Sequence, residues 1–262
     1  MLDFLVPTSE SELLADTLWS LGVIAVEERH APGNFVILRT SMGEEYSDSR
    51  DHIKRSFPNV VVSVAYIERS VADTWRAHAA PTWVTEDVVL CPAWVTSPDA
   101  LHVIRIEPAD TFGLGNHTTT VLALRLGLRH CAVNSRVFDF GCGSGVLAIA
   151  VAKIRQCESF CYDIAHNAQE VVRSNSKLND VHTTWHSKSN ELNADLVFAN
   201  ILAPVLIAES ATIKCSVHEA GLIVLSGMRD EQVQQVLLAY SECNEVERES
   251  RDGWTAVILR ML

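Results

Sequence analysis

One stretch limits what this chain can fold into more than any other: Arg136-Val137-Phe138-Asp139-Phe140-Gly141-Cys142-Gly143-Ser144-Gly145. It reads as a short strand running into a turn with glycine at every second position, followed by an apolar helix from Val146 to about Ile154. Glycines in such a turn let the backbone adopt conformations a Cβ forbids and let a ligand approach the chain closely. The helix that opens behind it offers unpaired N–H groups and a positive dipole end to an anionic group. A strand, a glycine turn and a helix in this order point to a nucleotide-like cofactor.

Spacing decides which cofactor. The dinucleotide fingerprint is G-x-G-x-x-G, with a third glycine where helix packs on strand. Val146 stands at that position here, and the glycines run G-x-G-x-G instead. A nicotinamide oxidoreductase is thereby disfavoured. The run D-F-G-C-G-S-G is similar to motif I of class I methyltransferases, which bind S-adenosylmethionine, and Asp139 adds an acidic group at the strand end. Glu158-Ser159-Phe160-Cys161-Tyr162-Asp163 reads as the next strand, with its carboxylate roughly 20 residues beyond Gly141, where an acid can accept hydrogen bonds from both ribose hydroxyls. The competing reading is an ordinary strand–helix turn with Asp163 capping the next helix. Agreement between glycine spacing, strand, helix and acid favours cofactor binding.

The rest of the chain arranges itself around this unit. Residues 2–6, 23–27, 35–38 and 60–66 read as strands, with helices reaching Leu21 and covering 47–56. The order β-α-β-β-α-β is that of a ferredoxin-like domain, expected over residues 1–67. Residues 68–95, with Trp75, Trp83, Trp94, Pro81 and Pro92, are expected to connect it to a second domain over 96–262. There, 101–106 reads as a strand, 119–128 as a helix, 167–179 as a helix and 183–185 as the third strand of the cofactor sheet. The loop 187–190 is expected to border an adenine. Ala194-Asp195-Leu196-Val197-Phe198-Ala199-Asn200 reads as a buried strand whose terminal amide points at the same crevice as Gly141 and Asp163, because ligands of open α/β sheets sit at strand carboxyl ends. Further strands are expected at 221–227, 246–250 and 254–260, the last two around Asp252-Gly253, with a helix over 231–239.

Composition removes several alternatives. A net charge of −12 over 262 residues disfavours direct binding of nucleic acid through a basic surface and suits a basic protein partner. No apolar run reaches the length of a membrane span, and residues 1–4 lack the start of a signal peptide. Seven scattered cysteines form no metal-ligand spacing. Cys157 and Cys161 are expected as buried thiols in a reduced, cytoplasmic protein.

Three further segments carry a resemblance. Glu107-Pro108-Ala109-Asp110-Thr111-Phe112-Gly113-Leu114-Gly115-Asn116-His117-Thr118-Thr119-Thr120 resembles the pattern D-P-G-x-A-F-G-T-G-x-H-x-T-T, and Asp195 through Ala203 resembles D-[LV]-V-x-A-N-I-L-A. Leu222 through Gly227 is similar to L-x-x-S-G. With Asp139 through Ala150 these identify a resemblance to the PrmA family, enzymes that methylate the eleventh protein of the large ribosomal subunit. The resemblance is strong from Glu107 to Gly227 and weak over the first 70 or so residues.

That resemblance implies an α/β fold, a Rossmann-like class I methyltransferase sheet preceded by the small ferredoxin-like α+β domain. It implies S-adenosylmethionine as methyl donor, and as acceptor the lysine ε-amines and N-terminal α-amine of the ribosomal protein, free or on the large subunit. The enzyme is expected to act as a monomer. Thr120, Asp139, Gly141, Gly143, Gly145, Asp163 and Asn200 are the implied cofactor contacts, with Phe112 and Gly115 in a loop over the site. Asn200 is expected to aim the acceptor amine together with the Ile201 carbonyl, and His117 to be a candidate proton acceptor. Glu107, Ala109 and Leu114 depart from the family pattern. Two alternatives of function stand beside this one: a lysine methyltransferase of the same fold acting on another protein, and a cofactor-binding assembly factor without catalysis.

Overall fold

Leu2, Phe4 and Val6 are buried while the residues between them are not, the period-2 pattern of a half-buried strand. In the computed structural model, which describes residues 1–21, 23, 26–42, 47–65, 76, 79–107, 115–165, 167–186 and 192–262, these side chains start the core of the first of two units. The units are Met1–His78 and Ala79–Leu262.

The first unit runs β1 (Leu2–Pro7), α1 (Ser11–Ser20), β2 (Val26–His30), β3 (Phe35–Thr40), α2 (Ser47–Ser56) and β4 (Val61–Val64). Its antiparallel sheet has the order β2-β3-β1-β4, a ferredoxin-like arrangement. Leu14 and Leu18 from α1 and Ile53 from α2 join Phe4 and Leu38 in the core. Asp3 and Arg39 are register partners across β1 and β3 and meet in a two-pronged ion pair, both bonds 2.6 Å. The guanidinium holds the Asp3 carboxyl below its ordinary pKa. A one-residue slip of register would separate this pair and turn Phe4 outward.

In the second unit, β5 (Thr82–Trp83), β6 (Val88–Pro92) and β7 (His102–Ile106) form a three-stranded sheet in that order. The stretch expected to be a connector is therefore not uniform. From Thr82 it contributes strands, and all five residues of β6 are buried. A central strand covered on both faces shows no alternation, and the nearby tryptophans and prolines read as linker signals instead. Trp75 lies outside the described residues.

The larger sheet contains β8 (Arg136–Phe140), β9 (Glu158–Tyr162), β10 (Thr183–Trp185), β11 (Ala194–Asn200), β12 (Val217–Arg229), β13 (Cys243–Arg251) and β14 (Trp254–Met261). Their order is β10-β9-β8-β11-β12-β14-β13. The first five are parallel, and β14 and β13 return antiparallel. Helices α3 (Thr118–His130), α4 (Val146–Arg155), α5 (Ala168–Leu178), α6 (Ala203–Ala208), α7 (Ser210–Cys215) and α8 (Val233–Leu238) connect them. Along β11, Leu196 and Phe198 enter a core shared with α3 and α4, while Val197 and Ala199 enter another shared with α6, α7 and α8. Both faces of the sheet are thus covered, the condition under which parallel strands persist. Strand β12 is longer than the expected 221–227, and the helix expected over 231–239 is a 3₁₀ turn (Asp230–Gln232) followed by α8. Cys157 and Cys161 are buried as expected, and the Cys157 Sγ lies 3.4 Å from the Cys131 Sγ.

The outer edge of β7 is closed by side chains. Asn179, just past α5, accepts from the Arg105 N–H at 2.8 Å and donates to the Arg105 carbonyl at 2.6 Å. Asn175 does the same for Glu107, at 2.9 and 3.0 Å. The Lys153 ammonium donates to the Val103 carbonyl at 3.0 Å. Residues four apart on a helix are separated by about 6 Å of rise, and alternate residues of a strand by about 6.6 Å. Two asparagines at that helical spacing can therefore pair with successive edge positions as a neighbouring strand would. Among the described residues no helix is long and apolar enough to cross a membrane.

Candidate functional site

The glycine turn lies where β8 ends, with β9 on one side and β11 on the other. Chain connections leave β8 in opposite directions there, so a crevice opens at the carboxyl ends of the strands. Gly141 and Cys142 both donate to the Tyr162 carbonyl, at 2.8 and 3.0 Å, which lashes the turn to the end of β9. Gly145 then opens α4 with φ 79°.

Gly141 has φ +77°, and a Cβ built on it would lie 2.4 Å from the Ile201 Cγ2. The residue after Asn200 is therefore folded directly over the turn. Ile201 is held from the other side as well. Its N–H donates to the Ser226 carbonyl at 3.2 Å, and its carbonyl oxygen would be 2.3 Å from a Cβ on Gly227, where φ is +87°. At this point the pairing of β12 with β14 slips between Leu225 and Met228. Glycine is required at both positions, for the backbone angle and for the space.

Asp139 is 1% exposed. Its Oδ2 accepts from the Ala148 N–H in the first turn of α4 at 3.2 Å, and its Oδ1 is buried with no hydrogen-bond partner among the described residues. Burial pushes its pKa up to about 7; the Ala148 N–H opposes the shift and the negative charge of Asp163 adds to it. Asp163, half-buried beyond the end of β9, accepts from the Gly143 N–H at 2.8 Å through Oδ2 and from the Ala165 N–H at 2.9 Å through Oδ1. The second acid thus orders the turn itself. Each of its oxygens keeps a lone pair for a further donor.

Asn200, half-buried at the end of β11, donates from Nδ2 to the Thr120 hydroxyl at 3.2 Å. Thr120 is 1% exposed, so its hydroxyl acts on the site through Asn200. The adjacent carbonyl of Thr119 accepts from the Ser226 hydroxyl at 3.0 Å. These bonds tie the start of α3 to β11 and β12.

His117, the candidate proton acceptor, stands at the start of α3. It is the N-cap of α3: the Thr119 N–H donates to Nδ1 at 3.3 Å, and the Thr119 hydroxyl lies 2.8 Å from the same nitrogen. With Nδ1 accepting, the neutral ring carries its proton on Nε2, so the Nδ1 lone pair is not available to a substrate. Burial, with the nearby Arg229 charge, lowers its pKa. The ring meets Trp254 edge-on at 5.0 Å, and the Arg229 guanidinium stacks over the other aromatic system at 3.9 Å.

Of the residues singled out from sequence, Asp139, Gly141, Gly143, Gly145, Asp163, Asn200, Thr120 and His117 are linked by this chain of contacts. Gly115, with φ +93°, packs against Leu90. Phe112 and Leu114 lie outside the described residues, as does the loop 187–190 expected beside an adenine. Sequence reasoning missed Ile201 as the clasp over Gly141. The glycine of the L-x-x-S-G pattern was its one trace. It missed the Trp254–His117 contact entirely, since nothing local brings the C-terminal hairpin to α3.

Comparisons with known proteins agree on one family. The family model described as ribosomal protein L11 methyltransferase (PrmA) matches residues 43–261. The protein named ribosomal protein L11 methyltransferase from Clostridium botulinum is 30% identical over 203 residues, covering 74% of this chain. The match spans 65% of the length of that relative. The protein of the same name from Cupriavidus taiwanensis is 29% identical over 284 aligned residues, covering 96% of this chain and 95% of its own. A crystal structure of a ribosomal protein L11 methylase from Lactobacillus delbrueckii subsp. bulgaricus has a TM-score of 0.64 at 25% identity, covering 70% of this chain and 100% of that one.

Proposed function

Because the chain belongs to the family of ribosomal protein L11 methyltransferases, we propose that it transfers methyl groups from S-adenosylmethionine to amines of that ribosomal protein, in the cytoplasm. The acceptors are lysine ε-amines and the N-terminal α-amine. The observation that carries this reading is the meeting of the glycine turn, Asp163 and Asn200 at the carboxyl ends of β8, β9 and β11, with Ile201 laid over Gly141. The acidic balance of the chain, −12, favours a basic protein as acceptor over a nucleic acid.

The residues fit such a cofactor. The orphaned Oδ1 of Asp139 is a buried acceptor in want of a donor or cation, and the glycine turn presents backbone rather than side chains. Asp163 would hold ribose hydroxyls with its remaining lone pairs, and Gly141, Gly143 and Gly145 would line the turn. When bound, the cofactor supplies a methyl group on a sulfonium, a donor that needs no further activation.

The protein's work is alignment and exclusion of water. A lysine amine with a pKa near 10.4 is protonated at neutral pH, and transfer into a low-dielectric crevice lowers that pKa. With Nδ2 committed to Thr120, Asn200 offers its carbonyl Oδ1 to an amine hydrogen, which directs the lone pair of nitrogen. The Ile201 carbonyl, expected to help, lies against Gly227, so Asn200 is the acceptor favoured for this role. His117 caps α3, and the amine loses its proton to solvent as it enters the crevice.

The test is transfer of labelled methyl from S-adenosylmethionine to the free ribosomal protein and to matched large subunits, with mass spectrometry to place the label. Label on its lysines or α-amine is the expected result. Cofactor binding without label there would overturn the acceptor, and absence of cofactor binding would overturn the chemistry.

A further inference from the structure

We infer that Asn175 is a positioning residue that locks the glycine turn in its cofactor-binding shape, an inference that rests on the methyltransferase reading above. The side chain is wholly buried. Besides its two bonds to the Glu107 backbone, its Nδ2 donates to the Ser144 carbonyl at 3.0 Å. Both amide hydrogens are thus used and the carbonyl oxygen is occupied.

Ser144 sits between Gly143 and Gly145, and its carbonyl shares a peptide plane with the Gly145 N–H. That N–H donates to the Cys142 carbonyl at 2.8 Å. The plane is therefore pinned at both ends, one end by the turn itself and the other by Asn175. With glycine on its C-terminal side, an unpinned plane could rotate with less steric resistance, and the N–H groups of the turn would lose their fixed directions. Two peptide planes earlier, Asp163 holds the Gly143 N–H, so two side chains from different elements hold alternate planes of the turn. The same Asn175 amide grips Glu107, the residue from which the segment leading to His117 departs. It therefore sets the distance between the turn and the start of that segment.

Asn179 provides the internal comparison. It makes the same pair of bonds to the edge of β7, at Arg105, but its remaining hydrogen goes to the Asn175 backbone carbonyl at 2.8 Å. Asn179 closes the edge without the bond to Ser144.

The experiment compares Asn175→Asp with Asn179→Asp in the full chain, measuring the thermal midpoint, the Kd for S-adenosylmethionine by calorimetry, and kcat at saturating cofactor. Each variant exchanges an amide for an isosteric carboxylate that cannot donate while ionised. Both are expected to lower the thermal midpoint similarly. Asn175→Asp is expected to raise Kd about tenfold, the worth of one net hydrogen bond, and to leave kcat at saturation within about twofold. Asn179→Asp is expected to leave Kd within about twofold of wild type. Should Asn175→Asp not fold, Asn175→Ser, too short to reach Ser144, is measured in its place with the same expectation. Equal changes in Kd for the two positions, or no change for Asn175, would overturn the inference. Failure of the wild-type chain to bind the cofactor would instead overturn the methyltransferase reading, and this inference with it.

Discussion

The Asn200 amide nitrogen lies 3.2 Å from the Thr120 hydroxyl, a bond between residues 80 apart in the chain. It fixes the orientation of the amide, and with it the direction in which Oδ1 faces. Thr120→Val keeps the shape but removes the acceptor. It is expected to cost about 1 kcal/mol of stability for the hydrogen bond lost by a half-buried amide and to lower kcat more than it alters cofactor affinity. Thr120→Ser should restore both. Asn200→Ala is expected to lower kcat on the order of 10²-fold, as misplacement of a reacting group does. Steady-state methyl transfer and urea unfolding measure these effects, and full turnover by Asn200→Ala would exclude the aiming role.

Gly141 and Gly227 should respond differently to the same probe. A Cβ on Gly141 meets the Ile201 side chain, while one on Gly227 meets the Ile201 backbone. Gly141→Ala is expected to cost about 1–2 kcal/mol for its backbone angle plus the collision, and adding Ile201→Ala should recover the collision part alone. Gly227→Ala should not be rescued by Ile201→Ala. A double-mutant cycle of unfolding free energies decides the matter, and similar rescue at both positions would contradict this packing.

Asp139, with its pKa raised to about 7, binds its proton more tightly folded than unfolded. Its contribution to stability is therefore fully present below the unfolded value of about 3.9 and is lost as pH rises through about 7. Relative to Asp139→Asn, wild type should lose on the order of a few kcal/mol across this window and level off above it. Urea titrations of both proteins between pH 4 and 8 measure the difference. A difference independent of pH would mean the carboxyl is ionised throughout.

His117 should be replaceable by another capping residue. Asn accepts from the helix N–H groups as well as Ser or Asp does, so His117→Asn should keep turnover within a few-fold, with an unshifted pH–rate profile. His117→Ala should lose about 1 kcal/mol for the missing cap, and somewhat more for contact with Trp254. Loss of the acid limb of the profile in His117→Asn would restore the proton-acceptor role.

What could be read in the sequence was whatever is enforced locally. The turn at Gly141–Gly145 needs residues that tolerate positive φ, and the β13–β14 hairpin has φ 53° at Asp252 and 76° at Gly253, angles that favour this pair of residues. The ends of β9 and β11 were legible because an acid or amide after an apolar run is conspicuous. Strand β6 was not, because a fully buried strand lacks alternation and Val88–Pro92 stands among tryptophans and prolines. The capping role of His117 was hidden for another reason: the same residue type serves a cap, a base or a ligand, and only geometry distinguishes them. Asn175 and Asn179 looked like polar helix residues because their partners, Glu107 and Arg105, lie about 70 residues away in sequence.

Closing the border of β7 with asparagine side chains has a consequence for self-association. An open strand border is a template for pairing with another chain, and proteins usually blunt it with charge, proline or a bulge. Here Asn179 and Asn175 match the N–H and carbonyl of Arg105 and of Glu107, and Lys153 of α4 takes the Val103 carbonyl. Until α5 docks, Arg105 and Glu107 expose hydrogen-bonding groups to any extended segment nearby, including another copy of the chain leaving the ribosome. Aggregation of this protein should therefore depend on how early residues 168–179 settle, and it should increase in variants that weaken their docking while leaving β7 itself intact.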